Sequence, residues 1–227
     1  MRILVTGSSG FIGSALVKRL KKIKKDVIGI DQKEADTTLV VSNILDKPPK
    51  FYKQFDIIYH LASLKDARES FEKKKEYREN IVNVTKYILK NFNGIEFIFT
   101  STMAAYKPIT PYGKYKLETE NIIKLSDKRF KIYRLANVYG GKKSTSIIEK
   151  KNIKIYGDGE QLRDYIHVDD VVNILTKDVF DLGTGIPISL NDLFPNAEHI
   201  KAIKGDVKIP KIHTDFNIKN RLPKKLK

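Results

Sequence analysis

The sequence predicts an α/β protein built on a doubly wound parallel sheet, with a small lobe contributed by its C-terminal part. Three observations carry this prediction. Short apolar, β-branched runs alternate with longer segments of helical period, the pattern of strands covered by helices on both faces. The first run ends in Gly7-Ser8-Ser9-Gly10-Phe11-Ile12-Gly13, glycines spaced G-x-x-G-x-x-G at a strand-to-helix junction. The second run ends in an acidic residue, Asp31, roughly twenty residues farther on, as a dinucleotide-binding βαβ unit requires.

The elements follow in order. Residues 2–6 are a buried strand. Residues 9–22 carry Phe11, Ile12, Ala15, Leu16 and Leu20 at helical spacing. Residues 26–30 form a second strand and 39–41 a third. Residues 55–60 form the fourth, followed by Leu61-Ala62. The charged stretch 68–91 is helical in pattern, and 95–100 is the fifth strand. Pro111 opens a helix through Leu125, because the missing N–H of proline has no partner in a first turn anyway. Residues 131–135 are the sixth strand. After Gly140 the pattern loosens into short strands and one clear helix, 168–176. The chain therefore divides into a Rossmann-type domain, 1–140, and a smaller lobe, 141–227, at the carboxyl ends of the strands, where such sheets bind ligands. Pro223 and the lysines after it read as a loose tail.

Composition narrows the class. At 227 residues and 41% apolar, the chain can bury a proper core. No apolar run is long enough to span a bilayer, and the N-terminal run meets glycine at once, unlike a signal peptide. There is no cysteine, hence no disulfide framework, thiolate nucleophile or cysteine metal site. Cytoplasmic residence is the simplest expectation. A net charge of +16 would suit an anionic partner. The lysines are scattered in runs, however, and aromatics do not interleave with arginines as on a single-strand-binding surface. Neither nucleic acid nor membrane is expected as a partner.

The glycine loop and Asp31 point to a cofactor. Glycines let main-chain amides approach a pyrophosphate, and the helix N-terminus adds partial positive charge there. A carboxylate at Asp31 accepts ribose hydroxyls and repels a 2′-phosphate, so NAD is expected over NADP. Tyr112 and Lys116 stand four apart on one helical face. An ammonium beside a phenol favours the phenolate and equips the tyrosine as a base. Thr102, at the end of the fifth strand, supplies a hydroxyl that can share the same substrate oxygen. His60 ends a buried strand and is expected to be a satisfied packing residue. His167, Asp169 and Asp170 are too few donors for a metal; Asp169 fits better as the N-cap of the following helix.

Together these motifs resemble the extended short-chain dehydrogenase/reductases, in particular their NAD-dependent epimerase/dehydratase family. The resemblance covers nearly the whole chain. It implies that Gly7, Gly10, Phe11, Ile12 and Gly13 hold the cofactor pyrophosphate and that Asp31 and Gln32 lie at its ribose. Asn43-Ile44 would lie at the adenine; the family usually has aspartate at the first position. Leu61, Ala62, Ser63 and Lys65 would line the cofactor, with Asn80 beside them on the next helix. Thr102, Tyr112 and Lys116 match the catalytic positions. Asn137, in Arg134-Leu135-Ala136-Asn137-Val138-Tyr139-Gly140, would touch a nucleotide sugar. Arg163, in Arg163-Asp164-Tyr165-Ile166-His167-Val168-Asp169-Asp170, would pair with its diphosphate.

The chain departs from the family in a short loop between Thr102 and Tyr112 and in trimmed stretches after Gly140 and Val172. Met103 and Ala104 stand where a 4,6-dehydratase carries its acid. The resemblance therefore implies a nucleotide-sugar 4-epimerase of the UDP-glucose/UDP-galactose type, transiently oxidising C4 and regenerating NAD. Alternatives are a sugar-nucleotide reductase or dehydratase-like enzyme, and a non-catalytic NAD-binding protein. A homodimer through 68–91 and 111–125 is also implied.

Overall fold

A computed structural model describes residues 1–227 except Lys142, Thr145, Lys151, 176–180 and 203–227. The tail after Pro223 and the end of the predicted 168–176 helix lie outside the described residues.

Strand β1 (Arg2–Thr6) leads into helix α1 (Phe11–Lys22), then β2 (Asp26–Asp31) and β3 (Val40–Val41). A short helix α2 (Pro49–Tyr52) precedes β4 (Ile57–His60). Helices α3 (Lys74–Arg78) and α4 (Val84–Asn91) flank a π turn, Glu79–Asn83. Then come β5 (Glu96–Thr102), α5 (Pro111–Lys124) and β6 (Phe130–Leu135). The later part holds β7 (Asn137–Tyr139), β8 (Lys154–Tyr156), β9 (Leu162–Arg163) and β10 (Tyr165–His167). It ends with α6 (Val168–Ile174), β11 (Asp181–Leu182), β12 (Ile188–Ser189), α7 (Leu190–Leu193) and β13 (Glu198–Ile200).

The main sheet has the order β11-β6-β5-β4-β1-β2-β3, and every pairing is parallel. Both faces are covered, which explains the nearly continuous apolar runs. Ile3, Val5, Tyr59, Ile98 and Tyr133 point to the α1 and α6 side. Leu4, Ile58, Phe97, Phe99 and Ile132 point to the side of α4 and α5. The chain winds one way through β1–β3 and the other through β4–β6. The reversal falls between β1 and β4, where Thr6 pairs with His60; a crevice forms outside the strand ends at such a switch point.

Beyond residue 140 the chain builds a small cluster of Tyr139, Ile148, Ile155, Tyr165, Leu190, Leu193 and Phe194. It also returns to the Rossmann unit, where Val171, Ile174 and Leu182 pack with Leu16, Val17 and Leu20. Two expectations are corrected. The charged stretch is not one continuous α-helix from residue 68: Asp66 Oδ1 takes the amides of Arg68 and Glu69, a 3-10 turn covers Glu69–Phe71, and the α-helix begins at Lys74. The N-cap of α6 is His167, whose Nδ1 accepts from the Asp169 amide at 3.2 Å. Asp169 lies inside the first turn, where its charge faces the helix dipole.

Candidate active site

The glycine loop sits at the switch point because only glycine fits there. Gly7 has φ +71°, and a Cβ on it would stand 2.7 Å from the Ala62 amide nitrogen. A Cβ on Gly13 would stand 2.1 Å from the Gly7 carbonyl. Residues Gly7 and Gly13 are thus pressed against the β4 loop and against each other, with the N-terminus of α1 open above them. Asp31 Oδ2 accepts the Ser9 amide at 3.0 Å, and Oδ1 accepts that of Lys33 at 3.1 Å. The acidic residue therefore clamps the loop as well as facing the crevice. A brace that periodicity does not reveal comes from Thr37, whose hydroxyl donates to the Ser8 carbonyl at 2.7 Å. Lys143 reaches back from beyond Gly140 to the Ser9 carbonyl at 2.9 Å.

The floor of the crevice is a buried hydrogen-bond chain. Thr6 Oγ1 accepts from the amides of Leu61 at 3.2 Å and Ala62 at 3.1 Å. Its own proton must then go to His60 Nδ1, 2.8 Å away. His60 Nε2–H faces Thr85 Oγ1 at 3.1 Å, and Thr85 donates to the Ile81 carbonyl at 2.7 Å. Burial holds the imidazole neutral, down to about 3. His60 is the satisfied core residue expected of it.

On the β2 side, a cavity of about 670 Å³ is lined by Gln32, Asn43, Leu45, Leu64, Asn80 and Val84 among others. Asn43 caps the turn Ile44–Asp46 by accepting the Leu45 amide at 3.1 Å. The Ile44 side chain turns into the core, so Leu45 lines the cavity instead. Asn80 sits in the π turn and accepts the Leu64 amide at 2.7 Å. That extra-wide turn swings the asparagine out to hold the β4 loop; π turns of this kind concentrate at functional sites. Ser63 is half-buried, with its hydroxyl on the Leu64 carbonyl, while Lys65 is exposed. Phe11 and Ile12 are half-buried in the first turn of α1.

On the β5 side the structure brings Thr102, Tyr112 and Lys116 together. Helix α5 begins beside the strand end because Thr110 caps it, accepting the Gly113 amide at 3.1 Å. The Tyr112 amide is held by Ser70 Oγ at 3.1 Å. The Thr102 hydroxyl stands by the Tyr112 phenol and favours its charged form. Lys116 Nζ donates to the Thr100 carbonyl at 3.0 Å, 4.6 Å from the Phe99 ring centre and 6.0 Å from that of Tyr112. Burial pushes the phenol up to about 12, against a smaller lowering by Thr102. Burial likewise pushes Lys116 down to about 7, opposed by the negative charge of Glu120. The expected lowering of the Tyr112 pKa by Lys116 is thus corrected: the lysine is turned to Thr100, and burial of the phenol dominates.

Asn137 and Arg163 lie across the crevice on β7 and β9. Asn137 is exposed, and its Nδ2 donates to the Asp164 carbonyl at 2.8 Å. Arg163 is half-buried, with Nη1 on the Leu162 carbonyl at 2.8 Å. Their common support is Asp164. Its carboxylate accepts the amides of Tyr165, Thr184 and Gly185 at 2.7, 2.8 and 3.1 Å. Met103 and Ala104 lie in the turn after Thr102, with no proton-transferring group between them.

Residues 3–177 match the model of the NAD dependent epimerase/dehydratase family. The chain belongs to that family. It is 29% identical over 261 residues to a dTDP-D-glucose 4,6-dehydratase of Dictyostelium discoideum, covering 85% of this chain and 60% of that protein. It is 28% identical over 257 residues to a putative UDP-glucose 4-epimerase of Methanocaldococcus jannaschii, covering 90% and 84%. The crystal structure of a UDP-glucose 4-epimerase from Thermotoga maritima with UDP-glucose matches with a TM-score of 0.84 and 25% identity, over 95% of this chain and 90% of that one. The family member's cofactor is NAD, and the glycine cradle and Asp31 fit it. Among the described residues no helix is long and apolar enough to cross a membrane.

Proposed function

We propose that this family member is a nucleotide-sugar 4-epimerase of the UDP-glucose/UDP-galactose type. The carrying observation is the placing of the Thr102 hydroxyl by the Tyr112 phenol, with Lys116 one turn along the same helix and Met103-Ala104 where a dehydratase acid would stand. The resemblance to a putative UDP-glucose 4-epimerase over nine-tenths of the chain supports the same reading.

In this reading Gly7, Gly10, Phe11, Ile12 and Gly13 hold the cofactor pyrophosphate through main-chain amides. Asp31 keeps carboxylate lone pairs for ribose hydroxyls beyond its two backbone donors, with Gln32 beside it. Asn43 and the backbone of Ile44 border the adenine. Leu61, Ala62, Ser63, Lys65 and Asn80 line the cofactor. Bound NAD supplies the acceptor and donor for the C4 hydride and a positive ring that favours the phenolate. Tyr112 takes the proton of the 4-hydroxyl as C4 is oxidised, and Thr102 holds that oxygen. Lys116 anchors the nicotinamide ribose and steadies the phenolate. When the 4-keto sugar has turned, C4 is reduced from its other face and Tyr112 returns the proton, so the cycle balances. Asn137 touches the nucleotide sugar and Arg163 pairs with its diphosphate. The two lobes divide near residue 140, and α3–α5 form the face of a homodimer.

The test is incubation with NAD and UDP-glucose, followed by NMR of the sugar. Interconversion with UDP-galactose is expected. Inertness across UDP-, dTDP- and GDP-sugars would overturn the reading, and steady NADH consumption with a 4-keto sugar would make the protein a reductase.

A further inference from the structure

Tyr112, Lys116 and Glu120 follow one another at single-turn spacing along α5, and they meet three consecutive residues of β5. Thr102 stands by Tyr112, the Thr100 carbonyl takes Lys116, and Ser101 Oγ donates to Glu120 Oε1 at 2.5 Å. Glu120 is fully buried. Arg134, on β6, grips it through Nε to Oε1 at 2.9 Å and Nη2 to Oε2 at 2.5 Å. The Arg134 guanidinium lies 4.1 Å above the Tyr106 ring. A buried ion pair of this kind contributes little to stability once desolvation is counted, so its place in the fold asks for another reason.

The groups facing Lys116 give one. Its own helix presents Tyr112 and Glu120. Strand β4 presents His60, which is held neutral. Strand β5 presents the Thr100 carbonyl and the Phe99 ring, and β6 presents Arg134 behind Glu120. The charges alternate: ammonium, carboxylate, guanidinium. Without the carboxylate, Lys116 and Arg134 would be two cations in one buried compartment. A guanidinium does not release its proton, whereas a buried lysine does. Lys116 would therefore discharge.

We propose that Glu120 is the positioning residue of the catalytic pair: anchored by Arg134 and Ser101, its buried carboxylate holds Lys116 as an ammonium beside Tyr112. This rests on the reading of Lys116 as the partner of Tyr112 and of the cofactor ribose.

The experiment compares the pH dependence of NAD affinity and of UDP-glucose turnover in the wild type and in Glu120→Gln. Both quantities fall in the wild type as Lys116 loses its proton. In Glu120→Gln that alkaline limb is expected about one pH unit or more lower, with turnover down about tenfold at pH 8 and within about threefold of wild type at pH 6. A loss uniform across pH, or an unmoved limb, would overturn the proposal. The double variant Glu120→Gln/Arg134→Met removes the unpaired guanidinium that the single variant leaves and guards against a folding failure. Its limb is also expected lower, and an unmoved limb there would be equally decisive. If the wild type turns over no sugar nucleotide, the epimerase reading fails, while the NAD-affinity profiles still decide the role of Glu120.

Discussion

At the scale of single residues, two buried groups act in opposite ways. Tyr112, the proton carrier of the proposed cycle, is held up to about 12 by burial. Replacing it with phenylalanine removes one oxygen and leaves the packing. Turnover should fall by about 10²- to 10⁴-fold, while NAD affinity measured by calorimetry stays within about threefold. His60 is the converse, a titratable ring kept from titrating. Its pKa is about 3 in the fold against 6.5 outside it. Between those values the unfolded chain takes up a proton that the folded chain refuses, so stability is present above pH 6.5 and is lost as pH falls. From pH 6.5 to 5 this amounts to about 2 kcal/mol. Denaturant titrations should show that loss in the wild type and a shallower one in His60→Asn.

At the scale of elements, α5 is placed by its first turn. Thr110 caps it, Pro111 fits the first helical position, and Ser70 holds the Tyr112 amide. Thr110→Ala should cost about 1 kcal/mol in unfolding free energy, read by denaturant titration, and should weaken turnover, because the same turn carries Tyr112. The α3–α4 helix shows a different device. Its π turn puts Asn80 against the Leu64 amide, and the Thr85 one turn later closes the chain through His60 to the glycine loop. One helix thereby fixes two sides of the same crevice.

At the scale of the whole molecule, the part beyond residue 140 packs on the cofactor half through α6 and β11 and also reaches it with single side chains. Lys143 reaches the Ser9 carbonyl at 2.9 Å, and the Arg68 guanidinium lies 4.4 Å over the Tyr156 ring. A ligand bound in the crevice stabilises all that converges there. NAD at a hundred times its Kd should add about 2.7 kcal/mol, a rise of about 5–10 °C in melting temperature by scanning calorimetry. Removing NAD should reverse the rise. NADP at the same concentration should give less, since Asp31 repels a 2′-phosphate.

The sheet, its strand ends and the pair Tyr112–Lys116 were legible in the sequence because they rest on local rules. Strand runs buried on both faces are continuously apolar, a glycine loop must follow a strand, and residues four apart share a helix face. The same local rules misplaced the start of α3 and the cap of α6, where Asp66 and His167 side chains competed for the backbone amides. Ser101, Glu120 and Arg134 carry no periodic signal linking them. They meet because parallel strands β5 and β6 set Ser101 beside Arg134 and α5 lies across both. The pKa values of Tyr112 and Lys116 belong to the same class. Spacing places the two side chains one turn apart, but desolvation and the direction of the ammonium, which set their protonation, exist only once the surrounding strands have closed over them.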